Sequence, residues 1–168
     1  TAVCNGEIYN WRTLRDELKQ RGHRFQTQCD AEIIPAAWIE WGAEMLDRFN
    51  GMFAIALHDQ ETNQLFLARD RCGQKPLYLT KNGPFRFASE IKALRAAGVD
   101  LKLNPQYLSQ WLSLRYVSEP ATLFHNIETL PAAHWMILSA DGKRQLKRYW
   151  EPPVREENIP SNSSQTID

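Results

Sequence analysis

The stretch that decides the reading is Val3-Cys4-Asn5-Gly6-Glu7-Ile8-Tyr9-Asn10. An apolar pair runs into an Asn-Gly step, and a helical pattern follows. Both residues of that step tolerate positive φ, so residues 1 to 4 read as the end of a buried strand and Asn5-Gly6 as a turn. The same dipeptide also sets a side-chain amide beside an unobstructed backbone N–H. Two neutral donors aimed at one point are what an oxyanion hole requires. A plain turn and an oxyanion pair are both open at this level.

Residues 10 to 21 read as a helix with Trp11, Leu14, Leu18 and the Arg15 methylenes on one face, Asn10 as its N-cap and Gly22 at its end. Arg24 to Gln28 alternates like a short strand. Asp30 then caps a second helix through Trp41, closed by Gly42, with Pro35 near its first turn. Ala43 to Arg48 is a short helical segment. The apolar run Gly51 to Asp59 and its partner Leu65 to Arg69 form a hairpin across the polar tract 59 to 64. Leu77 to Thr80 pairs with Phe85 to Ala88, and Ser89 caps a helix to Ala97. Asn104 and Pro105 open a helix to residue 116, and Asp141-Gly142 forms the tip of a last hairpin. Helices and strand pairs in blocks indicate an α+β protein with antiparallel sheets. The tail from Glu151 is rich in Pro, Asn, Ser and Glu and reads as a linker.

Composition narrows the function classes. The chain has 168 residues, 43% of them hydrophobic, enough for one domain with a core. Lys plus Arg and Asp plus Glu are both 20, so the chain makes no electrostatic case for nucleic acid or an anionic membrane surface. No apolar run reaches the roughly 18 residues that cross a bilayer, and no signal-peptide pattern opens the chain. Cys4, Cys29 and Cys72 have no metal-ligand spacing and read as reduced thiols of a cytoplasmic protein, with Cys4 and Cys72 in the core. The four histidines are scattered, and the six tryptophans sit where packing explains them.

The longer pattern is more specific. Asn5-Gly6-Glu7-Ile8-Tyr9-Asn10 is followed by Gly22-His23-Arg24-Phe25, Asp30-Ala31-Glu32, Asn50-Gly51-Met52-Phe53-Ala54 and then Ala68 to Tyr78. In order and spacing, over residues 2 to 150, this resembles the glutaminase domain of glutamine-hydrolysing asparagine synthetases, a branch of the class II glutamine amidotransferases. The resemblance implies a four-layer αββα sandwich of the N-terminal-nucleophile hydrolase type, here without its first strands. It implies that the Asn5 amide and Gly6 N–H stabilise the oxyanion, and that the backbone near Glu7 and the Asp30 carboxylate bind the glutamine α-ammonium. Asp30 has a rival role as a helix cap. The position before it is usually serine in the family and is Cys29 here. The nucleophile, an N-terminal cysteine whose amine serves as base, and the arginine that grips the α-carboxylate are expected upstream of Thr1. The chain alone is then expected to be inactive. Thr1 itself is a nucleophile type, but it precedes Asn5 too closely on one strand.

The resemblance also sets the organisation. Residues 1–98 are expected to be the C-terminal part of the glutaminase domain, 99–150 a connection into a synthetase domain, and 151–168 a flexible linker. Arg69, Asp70, Lys75, Ser89 and Glu90 are expected to be interdomain architecture. After Pro131 the family favours a glycine where Ala133 stands. No cofactor is expected within this chain; ATP and Mg belong to the synthetase domain, which is the expected partner in cis, with glutamine as substrate and a homodimer possible. The implied activity is an ATP-dependent asparagine synthase. Two alternatives are an amidotransferase-like ligase acting on another carboxylate and a non-catalytic scaffold with a degenerate site.

Overall fold

The computed structural model describes residues 1–153. The elements are β1 (Ala2–Ile8), α1 (Trp11–Gln20), α2 (Ile33–Trp41), α3 (Met45–Arg48), β2 (Gly51–Asp59), β3 (Gln64–Arg69), β4 (Tyr78–Thr80), β5 (Phe87–Ala88), α4 (Ile91–Ala96), α5 (Leu108–Leu114), β6 (Ile127–Thr129), β7 (His134–Leu138) and β8 (Arg144–Arg148). A five-stranded sheet runs β1-β2-β3-β7-β8 and a three-stranded sheet β5-β4-β6, every pair antiparallel.

Period-2 alternation builds the layers. On one face of the large sheet, Phe53, Ile55 and Leu57 of β2, Phe66 of β3 and Trp135 of β7 pack on Leu14, Leu18, Ile33, Ile34, Met45 and Leu46 of α1 to α3. On the other face Ala54, Ala56, Leu67 and Met136 meet Leu77 and Leu79 of the small sheet. Beyond that sheet, Leu94 of α4 packs with Val99 and Ile127. The order is helices, sheet, sheet, helix, the αββα sandwich expected. Strand β2 reads as an unbroken apolar run because both of its faces are covered, not because its sheet is parallel.

Several expectations meet the structure differently. The Asn-Gly step does not turn: β1 continues through Asn5, Gly6 and Glu7 to Ile8, paired to β2 along its length. Among the described residues β1 lies at the edge of the large sheet, with Val3 60% exposed. Asn10 makes no cap bond; its side chain bridges to the Arg48 carbonyl (2.9 Å) and the Asn50 N–H (2.9 Å). Residues 24–28 form no strand; the Gln26 and Thr27 N–H groups turn to the Glu32 carboxylate rather than to a neighbouring strand. Helix α4 starts from Glu90, not Ser89, with no side-chain cap.

Other expectations match. Gly22 closes α1 with the paired bonds Gly22 N to Lys19 O (3.0 Å) and His23 N to Leu18 O (3.0 Å). Asn104 accepts from the Gln106 N–H with Pro105 at the first position. The last hairpin turns around Asp141-Gly142. Residues 99–150, expected as a connection, supply β6 to the small sheet and β7 and β8 to the large one, so they complete the sandwich. Of the expected linker 151–168, all but the first three residues lie outside the described ones.

Candidate active site on the free edge of β1

Bond parity fixes which way the β1 backbone faces. His58 N donates to Thr1 O (2.8 Å), and Tyr9 N donates to Asn50 O (2.7 Å). Odd-numbered residues therefore face β2 at both ends of the strand. In an antiparallel strand N–H and C=O of one residue point the same way and alternate along the chain. Cys4, Gly6 and Ile8 consequently turn their backbone to the outer edge. Ile8 bears this out: its N–H donates to Asp30 Oδ2 at 2.8 Å, across 22 residues of sequence. The Gly6 N–H faces the same edge one repeat away. The backbone of Glu7 itself turns to β2, so the edge-facing groups next to it are those of Gly6 and Ile8; its side chain is exposed.

Gly6 is required here by space and by backbone. Its φ is +141°, and a Cβ would overlap the Met52 carbonyl and stand 2.8 Å from Phe53 Cα. Glycine thus permits close approach of β1 to β2, a role that an Asn-Gly turn reading misses.

Asn5 lies opposite Ala54 in the ladder, so its side chain leaves the face between the two sheets. It is exposed and lines a cleft of about 250 Å³ with Cys4, Ala54, Ala56, Leu77 and Phe87. The Asn5 amide and the Gly6 N–H, neighbours in sequence, border the space off the strand edge from two directions.

Asp30 is not the helix cap. A 3-10 turn covers Asp30–Glu32, Asp30 is its first residue, and no side-chain cap bond forms there. One oxygen takes the Ile8 N–H. The other has only the Cys29 thiol at 3.6 Å, a weak donor. Asp30 is half-buried, so one carboxylate oxygen remains able to accept a charged ligand group.

The cysteines divide clearly. Cys4 is half-buried against the helix-side core, and burial, reinforced by the Asp30 and Cys29 charges, pushes its thiol up to about 12. That disfavours the thiolate needed for attack. Cys29 and Cys72 are exposed, Cys72 contrary to expectation, and all three are free thiols. Thr1 sits at the far end of β1, its amine on the His58 carbonyl at 3.0 Å. Four residue steps along the strand, about 13 Å, separate it from Asn5.

The Arg69–Asp70 block is scaffold within this domain. Asp70 is fully buried, and its carboxylate accepts the N–H groups of Phe53 (3.2 Å), Cys72 (3.1 Å), Gln74 (2.9 Å) and Lys75 (3.0 Å). Arg69 ties the carbonyls of Gly73, Lys75 and Leu130 together and pairs with Glu119 at 2.5 Å. Among the described residues no group of three or more His, Cys, Asp or Glu could hold a metal ion. Nor is any described helix long and apolar enough to cross a membrane.

Residues 1–150 match the glutamine amidotransferase domain model, and the chain belongs to that family. It is 40% identical over 153 residues to asparagine synthetase [glutamine-hydrolyzing] 3 of Bacillus subtilis, covering 89% of this chain and 25% of the relative. It is 47% identical over 94 residues to asparagine synthetase B [glutamine-hydrolyzing] of Escherichia coli, 55% of this chain and 17% of that protein. The chain thus spans about a quarter or less of the length of these relatives. Among solved structures, the glutamine phosphoribosylpyrophosphate amidotransferase of B. subtilis shares the fold, with a TM-score of 0.62, 20% identity, and coverage of 88% of this chain and 28% of that one.

The site element that sequence reasoning missed is Glu32 with Thr27. Glu32 accepts the Gln26 N–H (2.6 Å), the Thr27 N–H (2.9 Å) and the Thr27 hydroxyl (2.8 Å). The Gln26 N–H first, and then the Thr27 donors, hold its carboxyl below the usual glutamate range. The available signal was a glutamate at the third position of a helix start, which reaches back to N–H groups preceding the helix.

Proposed function

We propose that this domain forms part of the glutaminase half of a glutamine-hydrolysing asparagine synthetase. The observation that carries the reading is the Asp30 carboxylate, held at the Ile8 N–H with one oxygen to spare, one strand repeat from the Gly6 N–H on the same edge. The spare oxygen accepts the glutamine α-ammonium. The glutamine side chain then lies along the edge, with its amide carbonyl toward Gly6 and Asn5.

Hydrolysis begins with a nucleophile attacking the amide carbon, which turns the carbonyl oxygen into an oxyanion. The Gly6 N–H and the Asn5 amide donate to it. Both are neutral and attached to a paired strand, so they need little reorganisation as charge develops. The C–N bond breaks, the leaving nitrogen takes a proton and departs as ammonia, and water releases glutamate from the acyl-enzyme. The raised Cys4 thiol and the distant Thr1 are poor nucleophiles. The attacking group in this reading is an N-terminal cysteine from outside residues 1–168, its own amine serving as base. In this reading the ammonia passes to an aspartyl-adenylate formed in an ATP- and Mg-dependent synthetase domain in cis, in a cytoplasmic setting.

The test is Asn5→Ala in the longer protein that carries this domain. Its glutamine-dependent rate should fall roughly 10²-fold, the effect of losing one oxyanion donor. Synthesis from added ammonia should survive, because ammonia bypasses the step. Equal loss of both activities would make Asn5 a folding residue and sink the reading.

A further inference from the structure

Residues 24–28 form neither helix nor strand, yet they deliver Asp30 to the β1 edge. What holds them is a chain of side-chain bonds. Glu32 turns back to the N–H groups of Gln26 (2.6 Å) and Thr27 (2.9 Å). The Thr27 hydroxyl donates to Glu32 (2.8 Å) and accepts the Cys29 N–H (3.1 Å). The Thr27 carbonyl accepts from the Arg15 guanidinium, which is buried and lies 5.0 Å from the Phe25 ring centroid.

These bonds tie the backbone of residues 26–29, just before Asp30, to the turn that follows it, so the loop that brings the Asp30 carboxylate to the Ile8 N–H is braced. We propose that Glu32 and Thr27 are positioning residues for glutamine: by bracing the loop before Asp30, they aim the Asp30 carboxylate at the substrate α-ammonium on the β1 edge. This rests on the reading of Asp30 given above. The weak thiol of Cys29 does little of this aiming, so the Glu32–Thr27 pair carries it.

The experiment uses the longer protein that carries this domain and two ligands followed by backbone-amide NMR: L-glutamine, and glutaramate, which is glutamine without its α-amino group. Hydrogen exchange of the Ile8 amide reports the Asp30 geometry directly. Glu32→Gln and the near-isosteric Thr27→Val should weaken glutamine roughly tenfold, on the scale of losing a charge-assisted hydrogen bond. They should speed Ile8 exchange and leave glutaramate affinity unchanged. Thr27→Ser, which keeps the hydroxyl, should behave as wild type.

Unchanged glutamine affinity in both Glu32→Gln and Thr27→Val overturns the inference. So does equal weakening of both ligands, which marks a purely structural role. Asp30→Asn separates the two levels. If it lowers glutamine affinity relative to glutaramate while the Glu32 and Thr27 variants do not, only the positioning role fails. If Asp30→Asn leaves that ratio untouched, or wild type binds no glutamine, the ammonium site itself is wrong and the inference falls with it.

Discussion

Asp30 and Asp70 are the two carboxylates that reach from a neighbouring loop to the backbone of the large sheet, and they do so differently. Asp70 is fully buried and saturated: four backbone N–H groups converge on its two oxygens. Asp30 is half-exposed, takes one backbone N–H, and keeps an oxygen facing only a thiol. A saturated carboxylate is scaffold, because any ligand would displace bonds already made in a low-dielectric setting. A carboxylate with residual capacity at an accessible edge is fitted to a ligand. The sequence neighbourhoods suggest the reverse, since Arg69-Asp70-Arg71 carries the denser charge.

The largest expected effect tests the scaffold side. Asp70→Ala strands four backbone donors and should cost about 4 kcal/mol of stability in urea unfolding, given 1–3 kcal/mol for each buried donor and partial rescue by water. A loss under about 1 kcal/mol would erase the distinction between the two aspartates.

Asp30→Asn tests the other side. The amide oxygen can still accept the Ile8 N–H, so stability should change by less than about 1 kcal/mol. In the longer protein, glutamine KM should rise by the equivalent of about 2–4 kcal/mol, with a smaller change in kcat, because the ammonium contact exists in ground and transition states alike. An unchanged KM would return Asp30 to a purely local role.

Acid sharpens the comparison through Glu32. Its carboxyl is depressed first by the Gln26 N–H and then by Thr27. A depressed folded pKa contributes stability that is complete above the unfolded value, about 4.3, and is lost as pH falls through the folded one. A carbon-detected titration of Glu32 should therefore show a midpoint below the ordinary glutamate range, with the loop before Asp30 loosening as that midpoint is crossed. A midpoint at or above the ordinary value would remove the clamp.

The smallest effect concerns Ala133, which stands where the resembled family favours glycine. It adopts φ +59° and is 2% exposed. A non-glycine residue in this region costs about 1–2 kcal/mol. Replacing it with glycine loses about 0.8 kcal/mol of methyl burial and 0.4–1 kcal/mol through the unfolded chain. These offset, so Ala133→Gly should shift stability by less than about 1 kcal/mol in thermal melts. A larger gain would mean that the alanine strains the turn before β7.

By itself the sequence determined those parts whose signals are local. The β2–β3 hairpin, the buried stripe of α1 with its Gly22 end, the Asn104-Pro105 helix start and the Asp141-Gly142 tip each follow from period or turn chemistry within about a dozen residues. The αββα layering and the site residues Asn5, Gly6, Glu7 and Asp30 came from the longer pattern by resemblance. Only tertiary structure decided how those residues act. Asn5-Gly6 is extended because β2, more than 40 residues on, offers a full ladder that outweighs the local turn preference. Gly6 is glycine because Met52 crowds it from that same strand. Asp30 faces β1 because Glu32 and Thr27 brace the loop before it and the Ile8 N–H, left unpaired by β2, takes one of its oxygens. Each of these outcomes depends on which of several competing partners a backbone N–H finds, and the nearer partner in sequence was not the one nearer in space.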